Sequence, residues 1–391
     1  MDVVIIANFC MDFSETDNGR FRYLANLLVQ NHDVEIITSS FYHINKSQRE
    51  TVFKHPYKIT LIDEPGYKQN ICLKRFYSHY VWGKNVKRYL MKRKMPDVVY
   101  CAVPSLTGPL EAAKYCEKNN VKFIIDVQDL WPEAFQMVFR LPIVSNIIFA
   151  PFKWMANGIY KRADEVVAVS QTYVDHVLSV NERCKKGHAV FLGTDLKTFD
   201  ENFKRDTILK KAEGEIWLGY CGTLGKSYDL KCVIDAIAIL NRSDIKLVII
   251  GDGPQHDEFE SYASQKKINS IFIGRVAYDT MCSLLKECDI MVNPIIGTSV
   301  ASIINKHADY VSSGRPVINT QISPEYRRLI DEYEMGYSVP NGNSVEFARI
   351  LEKLVNNEDL RTKMGINARK CAVEKFDRKN TYGTIVKCIE N

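Results

Sequence analysis

The chain has 391 residues, of which 46% are hydrophobic and 25% charged, with a formal net charge of +5. That length suits two domains, and the apolar content lets each bury an ordinary core, which excludes a disordered chain. No run of about 18 uncharged apolar residues occurs, so no membrane-spanning helix is expected. The 11 cysteines are scattered with no Cys-x-x-Cys pair. They are expected as reduced, buried thiols of a cytoplasmic protein, not as disulfides or a zinc site.

In chain order, Met1–Ala7 reads as a buried parallel strand rather than a signal peptide. A polar loop, Phe9–Asn18, precedes a helix from Gly19 to Leu28 with apolar Phe21, Leu24, Ala25, Leu27 and Leu28 on its inner face. Short strands are predicted at Val34–Thr38, Val98–Ala102, Lys122–Asp126 and Glu165–Ser170. The first 194 residues hold 25 Lys and Arg against 19 Asp and Glu, which leaves 27 basic and 28 acidic residues to the rest. The excess concentrates in Lys68–Lys94, which has nine basic residues, no acid and five interleaved aromatics. A solvated helix face and a membrane surface are both open to it, while no nucleic-acid motif accompanies it. Val138–Arg162 is rich in apolar residues and free of acid, with Pro142 and Pro151 expected to interrupt its helix. Such a segment suits either the lipid headgroup layer or an internal helix packed on a sheet.

A linker is expected near Gly193–Asp200. The second half then opens with a strand (Ile216–Tyr220), the turn Gly219-Tyr-Cys-Gly-Thr-Leu-Gly-Lys226 and a helix with apolar Leu230, Val233, Ile234, Ile237 and Leu240. Strand, glycine turn and helix form a geometry that binds phosphate, because backbone N–H groups and the dipole end converge on an anion. Strands follow at Lys246–Ile250, Ile271–Val276 and Ile290–Pro294, then Asn305-Lys306-His307-Ala308-Asp309 begins a helix. In an open parallel sheet, ligands bind in the crevice at the strand ends.

This order of motifs resembles the retaining family 4 glycosyltransferases, closest in pattern to the bacterial capsule and O-antigen enzymes. The resemblance implies an α/β chain with two Rossmann-like domains facing across a cleft, the GT-B fold. It places an acceptor domain at 1–194, with a C-terminal helix 378–391 packing back onto it, and a nucleotide-sugar domain at 195–377. A UDP-sugar is favoured over a GDP-sugar, and a lipid-linked saccharide is the expected acceptor. Attachment is expected at the cytoplasmic face of the membrane through an anionic lipid surface. Gly222, Thr223, Lys226 and Lys306, with Arg275, would hold the diphosphate. Val276 would meet the base and Asp309 the ribose, and Asn305 and Ser302 would complete the donor set. Ser299–Ser302 would face the sugar.

The stretch Asp126-Val-Gln-Asp-Leu-Trp-Pro-Glu133 is similar to a signature of the polysaccharide enzymes. Gln128 stands where many members have histidine, and donates a hydrogen bond instead of titrating. Asp129 would accept the proton of the acceptor hydroxyl, or else cap a helix. Gly19, Arg20, Arg22 and Trp131 would meet the acceptor. Thr223 and Tyr228 replace the family's usual arginine and lysine. Ala301 replaces the first of two acids eight residues apart, and Asp309 the second. No Asp-x-Asp cluster is present, so neither metal nor cofactor is expected, and cationic side chains take the metal's place. The alternatives are a sugar-nucleotide epimerase of the same shape and a non-catalytic nucleotide-sugar-binding subunit.

Overall fold

The computed structural model describes residues 1–11, 13, 19–49, 54–70, 72–133, 142–296 and 303–391, with the backbone alone at 142–147. Two compact units emerge: Met1–Phe191 with Thr381–Asn391, and Leu192–Asn380. Each boundary falls three residues from its expected place, at 191 against 194 and at 381 against 378. The reason is local pairing. Thr194 N–H donates to Phe376 O at 2.9 Å, and Arg378 N–H to Thr194 O at 3.0 Å. The Arg378 guanidinium holds Leu192 O at 2.9 Å and Gly193 O at 3.0 Å. Residues 192–194 and 376–378 therefore belong to one unit.

The first unit has strands β1 (Asp2–Ala7), β2 (Asp33–Ser39), a small hairpin β3 (Phe41–Tyr42) and β4 (Ser47–Gln48), then β5 (Lys58–Ile62), β6 (Val98–Val103), β7 (Lys122–Val127), β8 (Glu165–Ala168) and β9 (His188–Ala189). Seven of them form a sheet in the order β5-β2-β1-β6-β7-β8-β9, every pair parallel. Consecutive apolar residues such as Val3–Ala7 and Val98–Val103 are buried because helices cover both faces. Those helices are α1 (Arg20–Leu28), α2 (Leu73–Lys92), α3 (Thr107–Asn119), α4 (Pro142–Tyr160) and α5 (Gln171–Leu178). The C-terminal helix, Gly383–Glu390, packs Ile385, Cys388 and Ile389 into one cluster with Phe21, Leu24, Ala25 and Leu28 of α1.

The second unit has α6 (Leu196–Phe203), β10 (Ile216–Cys221), α7 (Leu230–Leu240), β11 (Ile245–Ile250), α8 (His256–Gln265), β12 (Asn269–Gly274), α9 (Tyr278–Glu287), β13 (Ile290–Asn293), α10 (Asn305–Ser312), β14 (Val317–Asn319), α11 (Pro324–Glu332), β15 (Gly336–Ser338), α12 (Ser344–Val355) and α13 (Glu358–Cys371). Its six parallel strands run β12-β11-β10-β13-β14-β15. That is the doubly wound order, and the direction of winding reverses between β10 and β13. A ligand crevice is built into such a reversal, because the loops after those two strands diverge to opposite faces of the sheet.

Candidate functional site

The turn after β10 lies at this reversal. Gly222 adopts φ 137°, and Gly251, in the turn after β11, adopts φ 141°. A Cβ on Gly251 would come within 1.9 Å of Gly222 O, so the two turns touch through bare backbone. Leu224 N–H donates to Asp252 O at 3.0 Å, and Gln255 N–H to Leu224 O at 2.9 Å. The Tyr220 hydroxyl secures Thr223 O at 2.8 Å. Gly222, Thr223 and Lys226 are exposed on this fixed turn.

One expectation is corrected here. Helix α7 begins only at Leu230, and the Asp229 carboxylate already caps it by accepting Cys232 N–H at 3.1 Å. A carboxylate in that place repels phosphate. The helix whose first turn lies beside Gly222 is α10 instead. Its N-cap is Ile304, whose side chain has no acceptor for the first amides. His307, stacked on Tyr326 at 3.5 Å, takes Ile304 N–H on Nδ1 at 3.3 Å and so fixes the entry to the helix.

Lys306, in the first turn of α10, is 8% exposed. Its Nζ lies 4.4 Å from the Tyr220 ring centroid and 4.1 Å from that of Tyr228. No acceptor reaches the Nζ among the described residues. An ideal Cβ on Gly222 would be 3.9 Å from it. Burial pushes the amine down to about 7. The two rings favour the charged form by cation–π attraction, but they do not replace the water it loses. Asp309, one turn on, accepts from the Tyr278 hydroxyl at 3.0 Å, and Tyr278 contacts the Thr194 hydroxyl at 3.0 Å. Burial raises the Asp309 carboxyl to about 7, against the Tyr278 hydroxyl and Arg378.

Arg275 and Asn305 are exposed, and Val276 packs partly on the core between Gly274 and α9. Ser302 lies outside the described residues, as do Ser299–Ala301. If Asp309 takes the ribose role that the resemblance implies, Asp309→Ala is expected to raise KM for the donor severalfold with little change in kcat, because a carboxylate on ribose would bind ground and transition states alike. Initial rates across a range of donor concentrations test this, and an unchanged KM removes Asp309 from the donor set.

In the first unit, residues 126–131 leave the end of β7. Asp129 accepts Leu130 N–H at 3.0 Å and the Trp131 indole N–H at 3.3 Å. Burial raises its carboxyl to about 6, and those two donors offset only part of the rise. Gln128 donates to Asp126 at 3.2 Å and remains part-exposed.

Two acceptor assignments are revised by the packing. Arg20 is 5% exposed and forms a two-pronged pair with Asp126 at 2.8 and 3.0 Å. Its third nitrogen donates to Val190 O, Phe191 O and the Tyr382 hydroxyl. The guanidinium is thus fully engaged within the unit and has nothing left for a phosphate. Trp131 is 5% exposed, stacked on His79 with centroids 5.9 Å apart, with Arg75 4.8 Å above its ring. It anchors the loop that carries Asp129. Gly19 is the buried N-cap of α1, and Arg22 lies part-buried near His55 and Tyr57.

Sequence reading missed the cluster beneath Trp131, where Arg75 also lies 5.5 Å from Tyr67 and 5.6 Å from Phe9. Arg75 was one cation in a basic run, and only its helical phase marked it as inward. Others of that run are neutralised locally: Lys84 and Lys87 by Glu111, and Arg93 by Glu35 and Asp2. Helix α4 is continuous from Pro142 to Tyr160, with Pro151 inside it. It carries exposed Trp154 and Ile148, while Phe149, Ala156, Ile159 and Tyr160 are buried. The helix thus packs one face inside the unit and leaves another exposed.

Comparison with known proteins agrees with this architecture. Residues 201–371 match the family described as glycosyl transferases group 1. An uncharacterized glycosyltransferase of Methanocaldococcus jannaschii is 24% identical, over 61% of this chain and 61% of that one. O-antigen chain mannosyltransferase C of Escherichia coli is 23% identical, over 54% of this chain and 57% of that one. The crystal structure of Anabaena HepE in complex with UDP superposes with a TM-score of 0.69 and 15% identity, over 100% of both chains. Most of the second unit thus matches the group 1 glycosyl transferases, the chain spans about half of the length of the curated relatives it matches, and it carries the GT-B fold of its structural relatives.

Proposed function

We propose that the protein is a retaining glycosyltransferase that moves a sugar from a nucleoside-diphosphate sugar to a lipid-linked saccharide in surface-polysaccharide synthesis. The observation that carries this reading is the Lys306 ammonium, enclosed by Tyr220 and Tyr228 beside the Gly222 turn. As the bond between sugar and diphosphate breaks, negative charge builds on the leaving phosphate. A fixed cation and backbone amides stabilise that charge without reorganising. The UDP bound to the structural relative supports a nucleoside-diphosphate sugar as donor, and of the two candidates we favour a UDP-sugar over a GDP-sugar. The name of the Escherichia coli relative supports the polysaccharide setting.

In this reading Lys306, Lys226, Gly222 and Thr223 hold the diphosphate and Asp309 the ribose, with Arg275, Val276 and Asn305 around the nucleotide. Asp129 takes the proton released by the acceptor hydroxyl, and Gln128 donates to a sugar hydroxyl. No metal takes part in the transfer. Incubation with labelled UDP- and GDP-sugars and a lipid-linked acceptor extract tests the reading. Transfer with retained anomeric configuration, neither requiring nor gaining from magnesium or manganese, supports it. Binding without turnover would identify a nucleotide-sugar-binding subunit, and isomerised donor an epimerase.

The raised Asp129 carboxyl adds a pH prediction. A base must be ionised, so kcat/KM is expected to fall tenfold per unit as pH drops below about 6. Asp129→Asn should lower kcat by about 10²–10⁴ and abolish that limb. A limb that persists in this variant assigns the titration to another group.

The membrane is the proposed meeting place with the acceptor. Leu73 is 87% exposed and Tyr77 60% on α2, and Trp154 is 69% exposed on α4. Phe76 and Phe152 join the two helices with ring centroids 5.0 Å apart, so these residues belong to neighbouring surfaces. Lys74 and Lys153 are exposed among them. No helix among the described residues is long and apolar enough to cross a membrane. Apolar residues edged by lysines suit reversible attachment in the headgroup layer of an anionic membrane. Flotation with anionic vesicles is expected to carry the protein at low salt, less at high salt, and severalfold less with Trp154→Ser. Equal absence of binding to anionic and neutral vesicles would refute attachment.

A further inference from the structure

Glu165, His188 and Cys388 come from three distant parts of the chain. One ligand atom from each lies within 4.8 Å of the other two. The topology explains the meeting. In β8, Glu165 and Val167 point to the same face because side chains alternate. Val167 pairs with His188 of β9, so His188 projects from that face too. The C-terminal helix lies on this face, where Cys388 shares a hydrophobic cluster with Val167, Val190 and Ile124. Lys122 Nζ holds Cys388 O at 2.6 Å, which fixes the last turn of the helix. A second thiol is adjacent: Cys184 Sγ lies 4.0 Å from Glu165 Oε2. Among the described residues Glu165 forms no ion pair, although it faces two thiols and an imidazole.

We propose that Glu165, His188 and Cys388, with Cys184 as fourth ligand, bind a zinc ion that fastens the C-terminal helix to the edge of the first sheet. One carboxylate, one imidazole and two thiols are a donor set that zinc accepts, in the tetrahedral number of four. Cys184-x-x-x-His188 supplies two ligands from one short loop, and strand and helix supply one each. The Glu165, His188 and Cys388 ligand atoms, within 4.8 Å of one another, need only small side-chain rotations to reach the ~2.0–2.3 Å bonds of a zinc centre, and Cys184 Sγ, now 3.3 Å from Lys186 O, would swing in from beside Glu165. Binding would expel the thiol protons, so two thiolates and a carboxylate would share the dication. The cluster sits at the N-terminal ends of β8 and β9, whereas substrates of such sheets bind at the C-terminal ends. The ion is therefore structural and takes no part in sugar transfer. No cysteine spacing announced it, because its four ligands come from three segments and its two cysteines are 204 residues apart in sequence.

The test uses the full-length, untagged chain, purified with a phosphine reductant. After dialysis against a zinc buffer, elemental analysis is expected to find one zinc per chain. The melting temperature should rise by about 3 °C or more over the chelator-treated protein. His188→Ala, at a part-exposed position, should remove both the zinc and the shift, and Glu165→Gln should weaken them. The distant pair Cys101→Ser and Cys232→Ser should leave both intact, which separates the site from adventitious thiol binding. The proposal is overturned if the wild-type chain holds no zinc, or if His188→Ala holds as much and melts with the same shift.

Discussion

Lys306→Ala is expected to lower kcat/KM for the donor about a hundredfold, the loss of about 3 kcal/mol that follows removal of one contact to a developing charge. The fold should survive. A buried amine without an acceptor contributes desolvation cost rather than stability, so the melting temperature is expected to stay level or rise. Lys306→Gln keeps most of the side-chain volume and should be equally slow, which separates charge from packing. The pH profile gives a second readout. With the amine pushed down to about 7 in the free protein, the productive cation is lost as pH rises through that value. The profile of kcat/KM reports the free enzyme, so its alkaline limb should lie near 7. The profile of kcat reports the bound state, where the diphosphate favours the charged amine, and its limb should lie higher. Wild-type turnover in either variant would remove Lys306 from the site.

Much of this fold was legible because parallel strands buried on both faces leave short apolar runs, and each predicted strand has a counterpart within a few residues. The glycine turn after β10 was legible too. The helix after it, Leu230–Leu240, was legible as well, but its distance from the turn was not: six residues, 223–228, intervene before Asp229, and their loop character carries no periodic signal. The reading took the turn and the next helix as one phosphate cradle. In the proposed function that task is divided between the turn and α10, 83 residues further on in the chain by the distance from Gly222 to Asn305. Lys306 was found by its motif, but its aromatic enclosure was hidden, because Tyr220 and Tyr228 come from a strand and a loop. In the first half the difficulty was of another kind. A lone arginine at a helix start gives the same signal whether it faces ligand or a buried carboxylate 106 residues away. Composition counts charges and cannot tell which are already neutralised, as Lys84, Lys87 and Arg93 are.

That distinction makes Arg20→Ala the other large expected effect, on stability rather than on substrate. Asp126 is fully buried on β7 and faces Arg20 through two hydrogen bonds. Burial opposes the arginine's charge, but the Asp126 carboxylate outweighs it and holds the guanidinium charged. Removing Arg20 leaves Asp126 buried with the neutral Gln128 amide at 3.2 Å and the Tyr100 hydroxyl beside it, and with no cation. An uncompensated buried charge costs about 3–5 kcal/mol. For a unit of this size that is a fall of roughly 10 °C in melting temperature. The same change frees Val190 O, Phe191 O and the Tyr382 hydroxyl, so the C-terminal segment Thr381–Asn391 should become the first site of limited proteolysis. Replacing both partners, Arg20→Met with Asp126→Leu, should recover most of the loss, because a buried pair and an apolar pair of similar volume differ little. Had Arg20 met a substrate phosphate, the single variant would show a raised KM at unchanged melting temperature. Calorimetry of the single and double variants beside donor and acceptor kinetics decides between the two. A melting point within a degree of wild type, together with a raised KM, would return Arg20 to the substrate.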